Sequence, residues 1–207
     1  MITCTQKYEA EIGGSIAVTL VQQFRMQSTI AMIISTMSYQ GILKTGVTDE
    51  DRKAPLGFPW PQKGVGMSLL NIEGNESGGR SNELECKAAI IIVINILEAN
   101  DGNVKGDQIL ILTSYSEQKG LILKEIKRST VETNYTGRRV SEWTINQLIK
   151  LVPVATTTSY QGSERWIVVA SLVFTKTIGF NAEKNRLNVL ISRAKCAIII
   201  LGNLKKI

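Results

Sequence analysis

The sequence predicts an α/β fold in which a parallel β-sheet is flanked by helices. Short runs of Val, Ile and Leu alternate with longer segments of helical periodicity, which is the pattern of strands joined by crossover helices. The runs are continuously apolar, as in strands that are covered on both faces. With 207 residues, 43% hydrophobic and 20% charged, the chain can bury a core of its own. Residues 1–207 are therefore expected to form a single domain.

Five strands and four helices are predicted. The strands are 66–72, 109–112, 151–155, 166–172 and 196–201, and the helices are 30–38, 82–99, 116–128 and 182–194. In the last helix a stripe with i, i+3, i+4, i+7 spacing should face the core: Leu187, Leu190, Ile191 and Ala194. The stretch 45–66, which holds three prolines, is expected to be an irregular surface excursion.

Composition excludes several classes of protein. The chain has no histidine, which removes histidine-based catalytic triads and the common zinc-protease motifs. Its three cysteines lie more than eighty positions apart, so they form neither a disulfide framework nor a metal knuckle, and no metal site is predicted. No secretory signal or membrane-length apolar run is present. An intracellular protein is expected, cytoplasmic or nuclear, with no membrane partner.

Positive charge is concentrated in the last third of the chain. Residues 138–207 hold 11 Lys and Arg against 3 Asp and Glu, whereas residues 1–137 hold 13 against 15. A basic region of this kind favours a polyanionic partner, either nucleic acid or nucleotide phosphate. A phosphate loop of the GxxxxGK[ST] type is nevertheless absent from the sequence, because the dipeptide Gly-Lys occurs nowhere in it.

Four segments carry a family resemblance. They are QQFRM at 22–26, ILTSY at 111–115 followed by Gln118, TTTSYQGSE at 156–164, and NRLNVLISRAK at 185–195. In this order they resemble the second RecA-like domain of superfamily-one helicases, in the up-frameshift and senataxin-like branch, which shows QYRM, TPYxxQ, TxDSxQGxE and RLNVALTRAK motifs. The resemblance runs from about residue 19 to residue 203. It implies a RecA-like P-loop NTPase fold that lacks a phosphate loop of its own.

The resemblance also implies a nucleotide site shared between two domains. ATP and Mg²⁺ would be held together with an N-terminal RecA-like domain, present in cis or in trans, which carries the Walker loops. Arg25 and Arg193 would be the catalytic residues, because a permanently charged guanidinium can neutralise charge at the γ-phosphate. The residues implied on the nucleotide side are Gln23, Gln161, Gly162, Glu164 (at the ribose) and Arg186. The predicted last helix would carry Arg186 and Arg193 on one side, seven residues apart.

A single-stranded RNA or DNA is the second partner that the resemblance implies. The residues that would contact it are Thr113, Tyr115, Thr156, Ser159 and Asn188. Hydroxyl groups that follow a parallel strand suit phosphate contact. From the residues alone, core packing of Tyr115 is as readable as nucleic acid contact. A plain Ser/Thr-rich turn is the alternative reading of 156–164.

Two functions follow from these observations. The first is the C-terminal motor half of an ATP-dependent helicase, which would not hydrolyse ATP by itself because it has no Walker A or B motif. The alternative is a catalytically degenerate RecA-like module that binds nucleic acid or acts as a scaffold. Departures from the family pattern favour this alternative: Gln27 and Ser28 in the first motif, Ser114 in the second, Thr158 and Trp166 in or near the third, Phe174, and Asn185.

Overall fold

The computed structural model describes residues 20–74, 80–128, 149–173 and 184–203. The strands in these ranges are β1 (Gln22–Gln23), β2 (Lys44–Thr45), β3 (Met67–Asn71), β4 (Ile109–Thr113), β5 (Val154–Thr156), β6 (Arg165–Ser171) and β7 (Ala194–Gly202). The α-helices are α1 (Ser28–Ser38), α2 (Glu83–Ala99), α3 (Ser116–Arg128) and α4 (Lys184–Ile191). None of the helices in these ranges is long and apolar enough to cross a membrane.

The predicted parallel sheet is confirmed. Five strands lie in the order β3-β7-β6-β4-β5, and every neighbouring pair is parallel. β1 and β2 form a separate two-stranded parallel ladder, which the sequence did not predict because each strand is only two residues long. All strands of the large sheet therefore end at one edge, called here the carboxyl edge, and begin at the opposite amino edge.

Each face of the sheet is covered by helices. Alternate residues of the central strands face α2 and α3 on one side and α1 and α4 on the other. In β4, for example, Ile109 and Ile111 belong to the first core cluster and Leu110 and Leu112 to the second, and all four are fully buried. This double cover explains why the strands are continuously apolar in sequence.

Local chemistry sets where the long helix begins. Asn82 precedes α2 in an extended conformation, and its side-chain oxygen accepts hydrogen bonds from the N–H groups of Leu84 and Glu85 at 2.9 and 3.1 Å. An asparagine in this position satisfies backbone donors that the first helical turn cannot pair. The prediction of this helix was correct to within one residue.

Two predicted boundaries were wrong by three residues, and the other boundaries within the described ranges by at most two. The third predicted strand begins at Val154 and not at residue 151, because Pro153 precedes it and Leu151 is 61% exposed. The last helix ends at Ile191 and not at residue 194. Ala194 is instead the first residue of β7, although it is buried in the core as expected. The first two residues of that predicted helix lie outside the described residues.

The excursion between β2 and β3 is irregular as predicted, yet it is tied firmly to the fold. Its Trp60 packs against the first core cluster. The side chain of Asn100, at the end of α2, forms two hydrogen bonds with the backbone of Leu56, at 3.1 and 3.2 Å. Gly57 has a φ of +85°, and a Cβ atom there would overlap the carbonyl oxygen of Asn95. Only glycine fits so close to the helix backbone.

The connection between β5 and β6, residues 157–164, crosses the sheet. It leaves β5 at the carboxyl edge and enters β6 at the amino edge, although β4 lies between the two strands. Tyr160 packs against the second core cluster on the way. One short length of chain therefore joins the two edges of the sheet.

Candidate functional site

A cluster of charged side chains lies at the amino edge, where β6 and β7 begin. Arg25 forms an ion pair through Nε with one carboxylate oxygen of Glu164, and Lys195 Nζ binds the other oxygen at 2.5 Å. The hydrogen bond from Lys195 is the largest influence on Glu164 and holds its pKa below the ordinary value; burial opposes it, and the nearby charge of Arg25 adds to the lowering. The carboxylate is therefore ionised at neutral pH and holds both cations together.

Arg193 is the buried member of this amino-edge cluster, with 9% of its surface exposed. Its guanidinium donates to the carbonyl oxygens of Val189 at 2.9 Å and Ser163 at 2.8 Å, and to the Ser192 hydroxyl at 3.2 Å. Burial, together with the like charge of Arg25, lowers its pKa from the ordinary value of an arginine. The side chain is thus fixed in one orientation beside the Arg25–Glu164 pair.

The expected placement of Arg193 on a helix is wrong. The chain leaves α4 in a tight turn in which the N–H of Arg193 donates to Leu190 at 3.3 Å, and its carbonyl already accepts from the N–H of Arg165 at 2.9 Å. The residue therefore belongs to the sheet edge. Arg186 remains in the first turn of α4, so the two arginines do not share a helix side.

Gln23 shapes the loop that carries Arg25. Its side-chain oxygen accepts from the N–H groups of Arg25 and Met26 at 2.8 and 2.7 Å, and its nitrogen donates to Met26 O and Thr45 Oγ1 at 2.8 and 2.6 Å. The N–H of Gln27 then joins this loop to Lys195 O at 2.7 Å. These bonds bring the loop against the start of β7.

Sequence reasoning gave no role to three residues of the cluster, Arg52, Trp166 and Lys195. The Arg52 guanidinium donates from Nε to the carbonyl of Arg25 at 2.8 Å and lies 5.3 Å from the ring centroid of Trp166. Lys195 Nζ lies 5.7 Å from the same ring, which is 39% exposed. Arg52 carries no sequence signal because it belongs to the irregular excursion. Trp166 was noted only as a departure from the family pattern.

A second set of predicted residues lies at the carboxyl edge. The hydroxyl of Thr156, the last residue of β5, bonds to the Ser159 hydroxyl at 2.9 Å, and the Ser159 hydroxyl also bonds to the Thr156 carbonyl at 3.1 Å. Thr113, in register with Thr156, is fully buried, and its carbonyl accepts from the N–H of Thr157 at 2.9 Å. Tyr115 follows β4 at this edge, half-buried.

The structure therefore separates the predicted site residues into two groups. Arg25, Glu164 and Arg193 meet at the amino edge. Thr113, Tyr115, Thr156 and Ser159 lie at the carboxyl edge, and Asn188 lies midway along α4. Gln161 and Gly162 are exposed in the crossing connection, where Gly162 adopts a φ of +87° that favours glycine.

The amino-edge cluster suits an anion better than a metal ion. Arg25, Arg193 and Lys195 supply positive charge, and the carboxylate of Glu164 is already held by two of them. Within the described ranges, no group of three or more Cys, Asp or Glu residues is arranged to hold a metal. Guanidinium and ammonium groups in this arrangement match the charge and geometry of phosphate oxygens.

Comparison with known proteins identifies the family. Residues 4–205 match the model of the AAA domain family AAA_12. The chain is 33% identical over 191 residues to the regulator of nonsense transcripts 1 homolog of Drosophila melanogaster, covering 88% of this chain and 15% of that protein. It is 34% identical over 194 residues to regulator of nonsense transcripts 1 of Dictyostelium discoideum, and the match covers 90% of this chain and 13% of that protein. It is 32% identical over 199 residues to the ATP-dependent helicase NAM7 of Saccharomyces cerevisiae, and the match covers 92% of this chain and 19% of that protein.

These matches identify the parallel sheet flanked by helices as a C-terminal RecA-like domain of the ATP-dependent superfamily-one helicase class. More particularly, the chain belongs to the AAA_12 family, in the branch of the regulator of nonsense transcripts 1 helicases. This confirms the resemblance carried by the four motifs. The chain spans less than a fifth of the length of these relatives.

Proposed function

We propose that this domain is the second half of an ATP-driven motor that moves along single-stranded RNA or DNA. Its amino edge would face ATP and Mg²⁺ held by an N-terminal RecA-like domain, in cis or in trans. The observation that carries the proposal is the meeting of Arg25, Arg193 and Lys195 around one carboxylate at that edge. Positive charge of this density suits a triphosphate.

In the proposed reaction, Arg25 and Arg193 contact the γ-phosphate as it is transferred in line to water. Charge spreads over the equatorial oxygens in the transition state, and a guanidinium already in place stabilises it without reorganisation. The three hydrogen bonds of Arg193 supply that preorganisation. Arginines in this role contribute on the order of 10³–10⁵ in rate.

The other residues of the nucleotide side have supporting roles in the proposal. Glu164 holds Arg25 and Lys195 in place and approaches the ribose, while Gln161 and Gly162 line the rim of the proposed nucleotide site. Gln23 acts through the loop that it closes, since its side-chain amide is already used in four hydrogen bonds. Arg186 would act from the first turn of α4.

The carboxyl edge would hold the nucleic acid. Thr156 and Ser159 present hydroxyl groups at the end of β5 and Tyr115 a ring after β4, with Thr113 beneath them and Asn188 to one side. Hydroxyl and backbone donors of this kind contact phosphates without reading the base sequence. We call this row of residues the strand track.

The test joins the chain to an N-terminal RecA-like domain that carries a phosphate loop. Arg25→Ala should lower kcat for ATP hydrolysis at least 100-fold, on the scale of about 10³ for such arginines, with little change in strand affinity. Arg25→Lys should recover little, because it loses the bidentate fork. Arg80→Ala removes an exposed arginine outside the amino-edge cluster and should leave kcat unchanged. A kcat for Arg25→Ala within about twofold of the parent would instead favour the degenerate scaffold module.

A further inference from the structure

Four fully buried polar side chains form a network beside the carboxyl edge. They are Asn82 and Glu85 at the start of α2, Gln118 in the first turn of α3, and Ser171 at the end of β6. All four have 0% of their surface exposed. None of them can touch a nucleic acid directly, so any effect they have on binding must be indirect.

The hydrogen bonds of this network have one consistent direction. Gln118 Oε1 accepts from the N–H of Asn82 at 2.8 Å, and Nε2 donates to Asn82 O at 3.1 Å and to Ser171 Oγ at 3.0 Å. Both amide protons are thereby used. Ser171, whose hydroxyl has a single proton, donates it to Glu85 Oε2 at 2.7 Å. Glu85 is the acceptor at the end of this series of bonds, so it determines that Ser171 donates to it and accepts from Gln118.

Glu85 also holds an unusual backbone conformation. Its Oε2 accepts from the N–H of Val173 at 2.9 Å, and Val173 has a φ of +56°. A β-branched residue rarely adopts a positive φ, because its side chain crowds the backbone. The bond to Glu85 therefore stabilises a conformation that the residue itself disfavours.

This buried network lies directly against the strand track. Ser171 is paired in register with Thr113, and Thr113 with Thr156, so three hydroxyl residues stand side by side at the ends of β6, β4 and β5. Gln118 lies in the first turn of α3, three residues after Tyr115. Fixing Ser171 and Gln118 thus fixes the backbone of the track on two sides.

We propose that Glu85 is the positioning residue of the strand track, acting through Ser171, Gln118 and the backbone of Val173. The inference rests on the proposed function, since it names the device that holds the nucleic-acid surface in its binding geometry. Glu85 acts without touching the strand. Electrostatics alone would give the opposite effect, because a carboxylate near a polyanion weakens binding.

The experiment measures binding of the whole chain to a single-stranded oligonucleotide over a range of salt concentrations. Glu85→Gln removes one acidic group and replaces one carboxylate oxygen by a donor. Its amide nitrogen then faces another donor, either Asn82 Nδ2 at the position of Oε1 or Ser171 Oγ and Val173 N at the position of Oε2. We expect this variant to bind roughly 3- to 10-fold more weakly, the effect of about one hydrogen bond. The slope of log K against log salt should also become shallower by about 0.7, the loss of one phosphate contact on a single strand. Partial unfolding would reduce the active fraction but leave this slope unchanged.

The matched control is Glu83→Gln, which makes the same chemical change two residues away on the exposed side of α2. It should bind as tightly as the parent or slightly more tightly. Should Glu85→Gln fold poorly, Ser171→Ala interrupts the bond to Gln118 with the loss of one buried atom and should also reduce the slope. Slopes for both variants equal to that of Glu83→Gln would overturn the inference while the track itself stands. Absence of salt-dependent binding by the parent would overturn both.

Discussion

Arg25 and Glu164 form an ion pair that joins the loop after β1 to the start of β6. Lys195, from the start of β7, occupies the other carboxylate oxygen at 2.5 Å. One carboxylate therefore holds cations from two separate parts of the chain, and removing it should release both of them at once.

The first prediction concerns the pH dependence of stability. The pKa of Glu164 is lower in the folded protein than its ordinary value of 4.5. Its contribution to stability is therefore complete above that value and is lost as the pH falls through the lower, folded pKa. Glu164→Gln should lose this component, so that its free energy of unfolding falls less steeply than that of the parent below about pH 4.5.

Urea denaturation at a series of pH values measures this difference. Glu117→Gln is the matched control, because Glu117 pairs with Arg80 at 3.7 Å on an open surface where both side chains are more than half exposed. Its curve should follow that of the parent. Parallel curves for Glu164→Gln and the parent would show that the ion pair contributes nothing to stability.

The second prediction is that the purified chain does not hydrolyse ATP. The phosphate loop and the Mg²⁺ ligands would belong to the N-terminal domain, and an arginine contributes only where a bound triphosphate meets it. Phosphate release should equal that of a buffer blank. ATP turnover by the parent that disappears in Arg193→Ala would not come from a contaminating ATPase. It would contradict the proposal that the phosphate loop and the Mg²⁺ ligands belong to the N-terminal domain.

The third prediction concerns the strand track. The chain should bind single-stranded oligonucleotides with an affinity that falls steeply as salt is added, because binding releases counterions. Thr156→Ala should weaken binding by about fivefold, the effect of roughly one hydrogen bond, and leave kcat of a completed motor nearly unchanged. Thr36→Ala removes an exposed hydroxyl on α1, which bonds only to Met32 O in its own helix at 3.0 Å. An equal loss of affinity in both threonine variants would argue against a track at the end of β5.

The fourth prediction tests how the excursion is attached. Gly57→Ala should destabilise the protein more than Gly102→Ala, although the two glycines have similar φ angles of +85° and +81°. Both variants carry the cost of a left-handed conformation, about 1–2 kcal/mol. Only at Gly57 does the new methyl group meet backbone, the carbonyl of Asn95, whereas nothing lies within 4 Å at Gly102. Thermal unfolding distinguishes them, and equal midpoints would mean that the excursion can move away from α2.

The sequence predicted the sheet well because burial on both faces imposes a signal on every residue of a strand. It predicted the end of α4 poorly, because the apolar stripe continues through Ala194 while the backbone has already turned into β7. Hydrophobic periodicity indicates which residues are buried, and Ile191 before the turn and Ala194 after it are both buried. The pattern therefore does not show where the helix ends.

Side-chain clusters were predictable only where a motif named them. Arg25, Arg193 and Lys195 all lie in motifs, although Lys195, which binds Glu164 from the start of β7, had been given no role. Arg52 and Glu85 had no signal at all, since an arginine in a loop and a glutamate in the first turn of a helix are ordinary in sequence. Their roles arise from contacts between elements distant in the chain.

The crossing connection between β5 and β6 has a mechanical consequence. From Thr156 to Arg165 it must cover on the order of 20 Å, two strand spacings sideways and about six residues of strand rise. The nine steps of this connection would reach about 30 Å if fully extended. Part of that length is used by two turns, closed by the bonds from the N–H of Tyr160 to Thr156 O at 3.1 Å and from the N–H of Ser163 to Tyr160 O at 3.4 Å. A deletion of one residue would therefore have to open one of these turns for the connection still to join both edges of the sheet.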